Sequence, residues 1–153
     1  MMRSPVYAII FLSIFFAAFH PTQFPVTDKK ADNQAGQVIT DIRWRLIELG
    51  GQKVTATATL SHEPYMILLS EDNRVTGNGS CNNFSGTYEL GKGSRITFAR
   101  MMSTRMACPE MEVEDQLMQV FESADSYALK EDTLSLNRAR MAPLARFAAV
   151  SGE

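Results

Sequence analysis

The chain has 153 residues, and its 15 Lys and Arg stand against 17 Asp and Glu, so its formal charge is −2. No basic stripe interleaved with aromatics runs along it, which argues against nucleic acid as a partner. With 45% hydrophobic residues it can fill one core of ordinary size, and nothing in its length calls for a second.

The N-terminus reads Met1-Met2-Arg3, becomes almost wholly apolar from Val6 to Phe19, and turns polar at His20-Pro21-Thr22. A basic start, a short apolar run and a break predict a secretory signal over residues 1–20. The run is shorter than the roughly 18 residues a spanning helix needs, so a stable transmembrane segment is the weaker reading. Phe16 and Phe19 occupy positions where cleavage favours small residues, which leaves an uncleaved anchor open; membrane contact would then be confined to this segment. No cysteine follows the run, so a lipoprotein is not expected. Residues 21–38 are rich in Pro, Thr, Asp, Lys, Asn and Gln, bury too little to offset their ordering entropy, and read as a flexible tether. A single domain is expected over residues 39–150.

Within it, Ile39 to Leu49 alternates, with Ile42, Trp44 and Leu46 on one face and Asp41, Arg43 and Arg45 on the other, the period of a half-buried strand that Gly50-Gly51 ends. Thr55 to Leu60 reads as either a strand or an extended connection. Tyr65 to Leu69 is a short apolar run whose length favours a buried strand, and Glu71 to Arg74 supplies a turn into Val75-Thr76-Gly77. Phe84, Gly86, Tyr88 and Leu90 then alternate to one face. Gly91 to Ser94 is turn chemistry, and Arg95 to Phe98 returns with Ile96 and Phe98 inward.

After Cys108 the period changes. Pro109 suits a first helical position, Glu110, Glu112, Glu114 and Asp115 complement the positive end of a helix dipole, and Val113, Leu117, Val120, Phe121 and Ala124 recur at helical spacing. One amphipathic helix is therefore predicted from Pro109 to about Ser123. Three strand-like pieces follow: Tyr127 to Leu129, Thr133 to Leu136 and Leu144 to Ala149. Short strands with tight turns and one late helix give a mainly β (α+β) fold, a small antiparallel barrel-like curved sheet with the helix inserted before the last strands.

Two stretches stand out. Gly77 to Tyr88 reads G-N-G-S-C-N-N-F-S-G-T-Y, whose glycines and paired asparagines suit a sharp corner between strands; a catalytic loop is the less favoured reading because no partner for chemistry lies nearby in sequence. Met101 to Met111 reads M-M-S-T-R-M-A-C-P-E-M. With Trp44 and Leu46 in an opening W-x-L strand, the run Ser80-Cys81-Asn82-Asn83-Phe84-Ser85-Gly86-Thr87-Tyr88, the run Thr104-Arg105-Met106-Ala107-Cys108-Pro109, Glu114 on the helix, and Leu144 and Phe147 in a closing strand, the sequence resembles the META domain family, that of the HslJ-like bacterial heat-shock and envelope proteins. The resemblance spans about Thr40 to Ala149, and its one departure is Ser80, where the family commonly has glycine. It implies a β-barrel-like fold with one helix, a link to stress or antibiotic tolerance, and no established catalytic activity, cofactor or active-site residues to carry over.

Two cysteines in an exported chain are available for one disulfide. Joining Cys81 to Cys108 would close a loop of about 28 residues, which a chain-entropy argument values at roughly 3 to 4 kcal/mol. The rival is a redox-cycling thiol, Cys108 being near a helix start, but there is no C-x-x-C and the structural disulfide is favoured. His20 lies in the signal and His62 stands alone, so neither a metal site nor a Cys-His nucleophile is assembled. The helix acids read as a solvated face, and Met101, Met102, Met106, Met111 and Met118 as core filler ahead of a copper-binding stripe. Together these features predict a non-enzymatic exported module without cofactor, contacting another envelope protein or holding an acyl or other small apolar group. A thiol-disulfide redox protein, or an inhibitor of a cell-wall-degrading enzyme, is the alternative.

Overall fold

The computed structural model describes residues 38–55, 60–108 and 111–150. The predicted signal and tether, His20, most of the Thr55 to Leu60 stretch, and the expected helix start at Pro109-Glu110 lie outside those residues.

The alternation after Ile42 gives β1 (Arg43–Leu49), with Trp44 and Leu46 buried between exposed Arg43 and Arg45. It begins later than the sequence pattern suggests, because Asp41 takes a left-handed φ of 61° and turns the chain. Its side chain accepts the Ser70 amide at 3.0 Å. Gly50 and Gly51 do more than end the strand: with φ of 56° and 82° they form a two-residue hairpin into the short β2 (Gln52–Lys53), a turn that positive φ at both positions permits. β3 (Tyr65–Leu69) buries Met66 and Leu68, and the Asn73 turn, φ 52°, leads to β4 (Arg74–Asn78).

β5 (Asn83–Gly91) faces Phe84, Gly86 and Tyr88 inward. Leu90, expected on the same face, is 41% exposed, since it stands at the strand end beside the Gly91–Ser94 turn. β6 (Arg95–Ser103) runs five residues past the expected Phe98. It continues because Arg100, φ 53°, is absorbed as a bulge opposite Gly86, after which Met102 and Ser103 pair with Ser85 and Phe84.

After the helix α1 (Met111–Ser123) come β7 (Ser126–Lys130), β8 (Thr133–Asn137) and β9 (Ala145–Val150), the last three strands at the places the pattern assigns. All pairings are antiparallel, in the order β2-β1-β3-β4-β5-β6-β7-β8-β9, and β9 returns to pair with β1. The described residues thus form a mainly β fold, one curved, ring-like sheet of nine strands with a single helix.

Closure is unequal around the ring. β1 and β9 share six residue pairs, interrupted by a bulge between Leu46 and Glu48 that turns Glu48 outward to meet Arg146 at 2.7 Å. β6 and β7 share one, Arg95 with Ser126. Continuing that register would set Phe98 to Ser103 against Ser123 to Met118, which are already helical, so α1 lies where a strand partner of β6 would be. The helix turns Leu117, Val120 and Phe121 inward. Phe121 sits between Phe84 and Phe98, with ring centroids at 5.0 and 4.9 Å and tilted planes, a favoured aromatic geometry. The rest of the interior is filled by Trp44, Leu46, Met66, Leu68, Ile96, Leu134, Leu136 and Phe147, each no more than 2% exposed. The Trp44 indole N–H is satisfied by the Ile39 carbonyl at 2.8 Å.

Because Phe121 joins the helix to both strands beneath it, Phe121→Ala should lower the unfolding free energy by about 3–5 kcal/mol. Urea denaturation followed by the fluorescence of the lone tryptophan measures this; a loss comparable to that of an exposed substitution would show that the helix is dispensable for closing the ring.

Candidate functional site

The two motif stretches, far apart in sequence, meet at one end of the ring. The chain leaving β4 makes a tight corner at residues 78–82. Gly79 N–H donates to the Asn82 carbonyl at 2.8 Å, and the Asn78 side chain accepts the Ser80 amide at 2.8 Å and donates to Asn83 Oδ1 at 3.0 Å. Gly79 has no room for a side chain, because a Cβ there would stand 2.8 Å from Glu114 Cγ. Ser80 takes a φ of 110°, where a side chain is strained, and its fully buried hydroxyl has no hydrogen-bond partner.

Asn82, fully buried, reaches from this corner to the segment after β6. Its Oδ1 accepts from the Thr104 hydroxyl at 2.8 Å and from the Met106 amide at 2.7 Å, while its Nδ2 donates to the Met106 carbonyl at 3.0 Å. Thr104 N–H adds a bond to the Asn83 carbonyl at 3.0 Å. A carboxamide has one acceptor atom with two lone pairs and one donor group; Asn82 uses both against a single backbone turn, so no smaller polar residue substitutes for it. Beside it, Cys81 and Cys108 are joined, with Cα atoms 6.2 Å apart.

Glu114 completes the cluster. It was expected on a solvated helix face, but it is 4% exposed and accepts the Asn82 amide at 2.9 Å and the Ser103 hydroxyl at 2.7 Å. Burying a carboxylate is unfavourable without partners, and these two charge-assisted bonds supply them. The other first-turn acid, Glu112, is exposed as expected and accepts from Gln116.

Among the remaining motif residues, Phe84 and Gly86 are core positions on β5, and Tyr88 is buried with its hydroxyl donating to the Leu69 carbonyl at 3.1 Å. Burial, and then the charges of Asp41 and Asp72, push the Tyr88 phenol above its ordinary value, which keeps it a donor through neutral pH. Asp41 is held below the usual carboxylate range by its hydrogen bonds to Ser70. Pro109 falls outside the described residues. His62 is exposed, and its Nδ1 lies 3.3 Å from the Ser80 carbonyl, a backbone contact rather than a pairing with sulfur.

The methionines divide. Met101 and Met118 are half-buried against the core, as filler should be, but Met102 and Met106 are 66% and 58% exposed. Met102 stands outward on β6 by alternation. Met106 stands outward because Asn82 binds both polar atoms of its backbone and leaves the side chain facing solvent. An open groove of about 410 Å³ lies between the 103–107 segment and α1; Thr104 and Met106 line one side, Met111, Asp115 and Met118 the other. The sequence shows these thioethers but not their convergence, which depends on how Asn82 folds the segment back.

Fold and corner together define a class: a small antiparallel sheet closed on itself, one helix filling its weak seam, and a disulfide and buried amide fastening the helix lead-in. The META domain profile matches residues 37–151, and the chain belongs to the META domain family. Solved structures share the fold at low identity. A Burkholderia xenovorans protein determined by NMR is 19% identical with a TM-score of 0.63, covering 87% of this chain and 98% of its own. A second NMR structure is 21% identical with a TM-score of 0.57, covering 72% and 90%. A DUF4847 family protein from Bacteroides vulgatus, a crystal structure, is 13% identical with a TM-score of 0.52, covering 72% and 94%. No curated protein sequence matches the chain.

Two outcomes test the corner. Ser80→Gly removes the strained φ and the unpaired hydroxyl and should raise stability by about 1 kcal/mol after the extra backbone entropy of glycine is counted. A lower urea midpoint for this variant would mean that Ser80 has a partner worth keeping. The joint change Cys81→Ser and Cys108→Ser should cost about 3–4 kcal/mol for a sequence separation of 27 residues, and wild type under reductant should lose as much. Equal midpoints with and without reductant would count against a structural role.

Proposed function

We infer that this protein is an exported, non-enzymatic binding module of the bacterial cell envelope, connected to stress or antibiotic tolerance, and that it engages its partner through the groove between residues 103–107 and α1. One observation carries the reading: the polar side chains that join the two motifs to each other and to the helix are spent on one another. Asn82, Thr104, Ser103 and Glu114 are bonded within the cluster and both cysteines are joined. What faces solvent beside them is soft, apolar and adaptable, the character of a recognition surface rather than a reactive centre.

Export is supported by the N-terminal sequence and by a disulfide, which persists in oxidising compartments. The partner is best taken as another envelope component. An acyl chain would have to lie in the groove and not inside the sheet, whose interior is filled by Trp44, Phe121 and Phe147. The redox alternative has less support, since Cys81 is 3% exposed and held within the corner. No observation singles out an inhibitory loop.

The test is to express the full chain in a bacterial host with a photo-crosslinking residue at position 106, or at exposed Lys130 at the end of β7 as control, then fractionate and titrate thiols. The expected result is envelope localisation, no free thiol, and adducts from position 106 alone. A cytosolic protein with two free thiols, or equal adducts from both positions, would overturn the reading.

A further inference from the structure

The groove is lined by residues chosen for more than greasiness. Leucine or isoleucine would fill an apolar cleft with better-defined rotamers than methionine. Instead three thioethers, Met106, Met111 and Met118, border one open space of about 410 Å³. Met106 holds its side chain 58% exposed on a backbone fixed at both amide and carbonyl by Asn82, so this sulfur is presented from a rigid support. Met111 and Met118 are seven residues apart on α1, about 10.5 Å along the axis, on the same face two turns apart. Extended methionine side chains span that interval to a shared point between them. Asp115 lines the groove at the intermediate turn and is exposed, while the Glu114 carboxylate is already engaged by Asn82 and Ser103.

A thioether differs from an alkyl group of the same size in its soft lone pairs, and soft donors select monovalent d¹⁰ cations over hard oxygen-seeking ones. The ligands that Zn(II) prefers are not on offer, because both thiols are in the disulfide and His62 is turned to the Ser80 carbonyl. We propose that this groove binds a soft monovalent cation of the Cu(I) class through the sulfurs of Met106, Met111 and Met118, with Asp115 offsetting its charge. Arg105 also borders the groove, and with Glu114 and Asp115 the lining still carries a formal charge of −1 (one cation, two carboxylates). Binding involves no electron transfer, and the disulfide is untouched. The proposal rests on the groove being the functional surface, and it names the ligand class.

Silver(I) is the probe, since it takes the same donors without redox chemistry. The oxidised full-length protein, labelled at the methionine methyls, is titrated with Ag(I) and followed by native mass spectrometry and NMR. A one-to-one complex is expected, with methyl shifts at Met106, Met111 and Met118 and none at the fully buried Met66. The joint variant Met106→Leu, Met111→Leu and Met118→Leu should keep its cooperative unfolding and lose the complex, whereas Met102→Leu with Met141→Leu should retain it. Shifts confined to Met102 or Met141, no complex at all, or a complex that survives the triple variant would overturn the proposal. If silver fails while crosslinks from position 106 persist, the metal inference falls and the binding-module reading stands; if both fail, both fall.

Discussion

Only Arg95 and Ser126 pair across the seam between β6 and β7, and this one weak closure shapes the rest of the molecule. A sheet that ends there would expose the free length of β6, an edge that invites pairing with another chain. The chain solves this by interrupting strand with helix: where the register would call for a partner strand, it supplies α1, and Phe121 fills the space between Phe84 and Phe98 that a strand's side chains would occupy. A helix backbone cannot hydrogen-bond along a sheet edge, so apart from the Ser103–Glu114 bond its attachment there is by packing, and packing fixes its position only as well as its two ends are held.

The C-terminal end is held by the chain itself. Ile96 N–H and Tyr127 N–H bond to the Asp125 and Ser94 carbonyls, and Asp125 Oδ1 accepts the Ala139 amide at 2.9 Å. That bond and the Ser126 hydroxyl hold the Asp125 carboxyl below its ordinary range. The N-terminal end follows a segment without regular structure, residues 104–108, which no strand or helix bonding holds in place. The corner at residues 78–82 holds it instead. Asn82 acts as a surrogate strand for Met106, Glu114 returns from the helix to the Asn82 amide, and the disulfide adds a covalent limit to the same approach. Three kinds of bond thus converge on one junction, and each answers a deficit created by the seam.

How much of this was legible in the sequence follows from the range of the interactions. Period-two alternation reports which face is inward and needs no tertiary information, so Trp44, Leu46 and Phe84 were readable, while Tyr65 to Leu69 and the three closing strands were readable as short strand-like runs. The helix stripe through Leu117, Val120 and Phe121 was readable for the same reason. Sequence pattern is silent where a single residue changes the register: Arg100 adds a bulge past which β6 continues to Ser103, beyond the expected Phe98, and the break between Leu46 and Glu48 sends an acid outward to Arg146. Glu114 was misjudged because acids in a first turn are normally solvated, and the proximity of Asn82, 32 residues earlier, and of the Ser103 hydroxyl makes its burial favourable. Gly79 is the matching feature on the other side: its φ is ordinary, and it is glycine because Glu114 lies against its missing side chain.

The same logic separates the rigid part of the site from the adaptable part. Asn82 and Glu114 are bonded at each of their side-chain polar atoms and the cysteines are joined, so moving Asn82 or Glu114 would leave a buried group unpaired at a cost of about 1–3 kcal/mol each. Met106 differs in kind. Its backbone belongs to that fixed set, yet its side chain makes none of the cluster's bonds and is free to choose among rotamers above the groove. A flexible, polarisable group on an immobile base loses little backbone entropy on engaging a ligand, since the ordering was completed when the protein folded. The seam therefore shapes the surface as well as the stability: the junction needed to seat the helix also presents a preorganised backbone carrying a soft side chain at an open groove beside it.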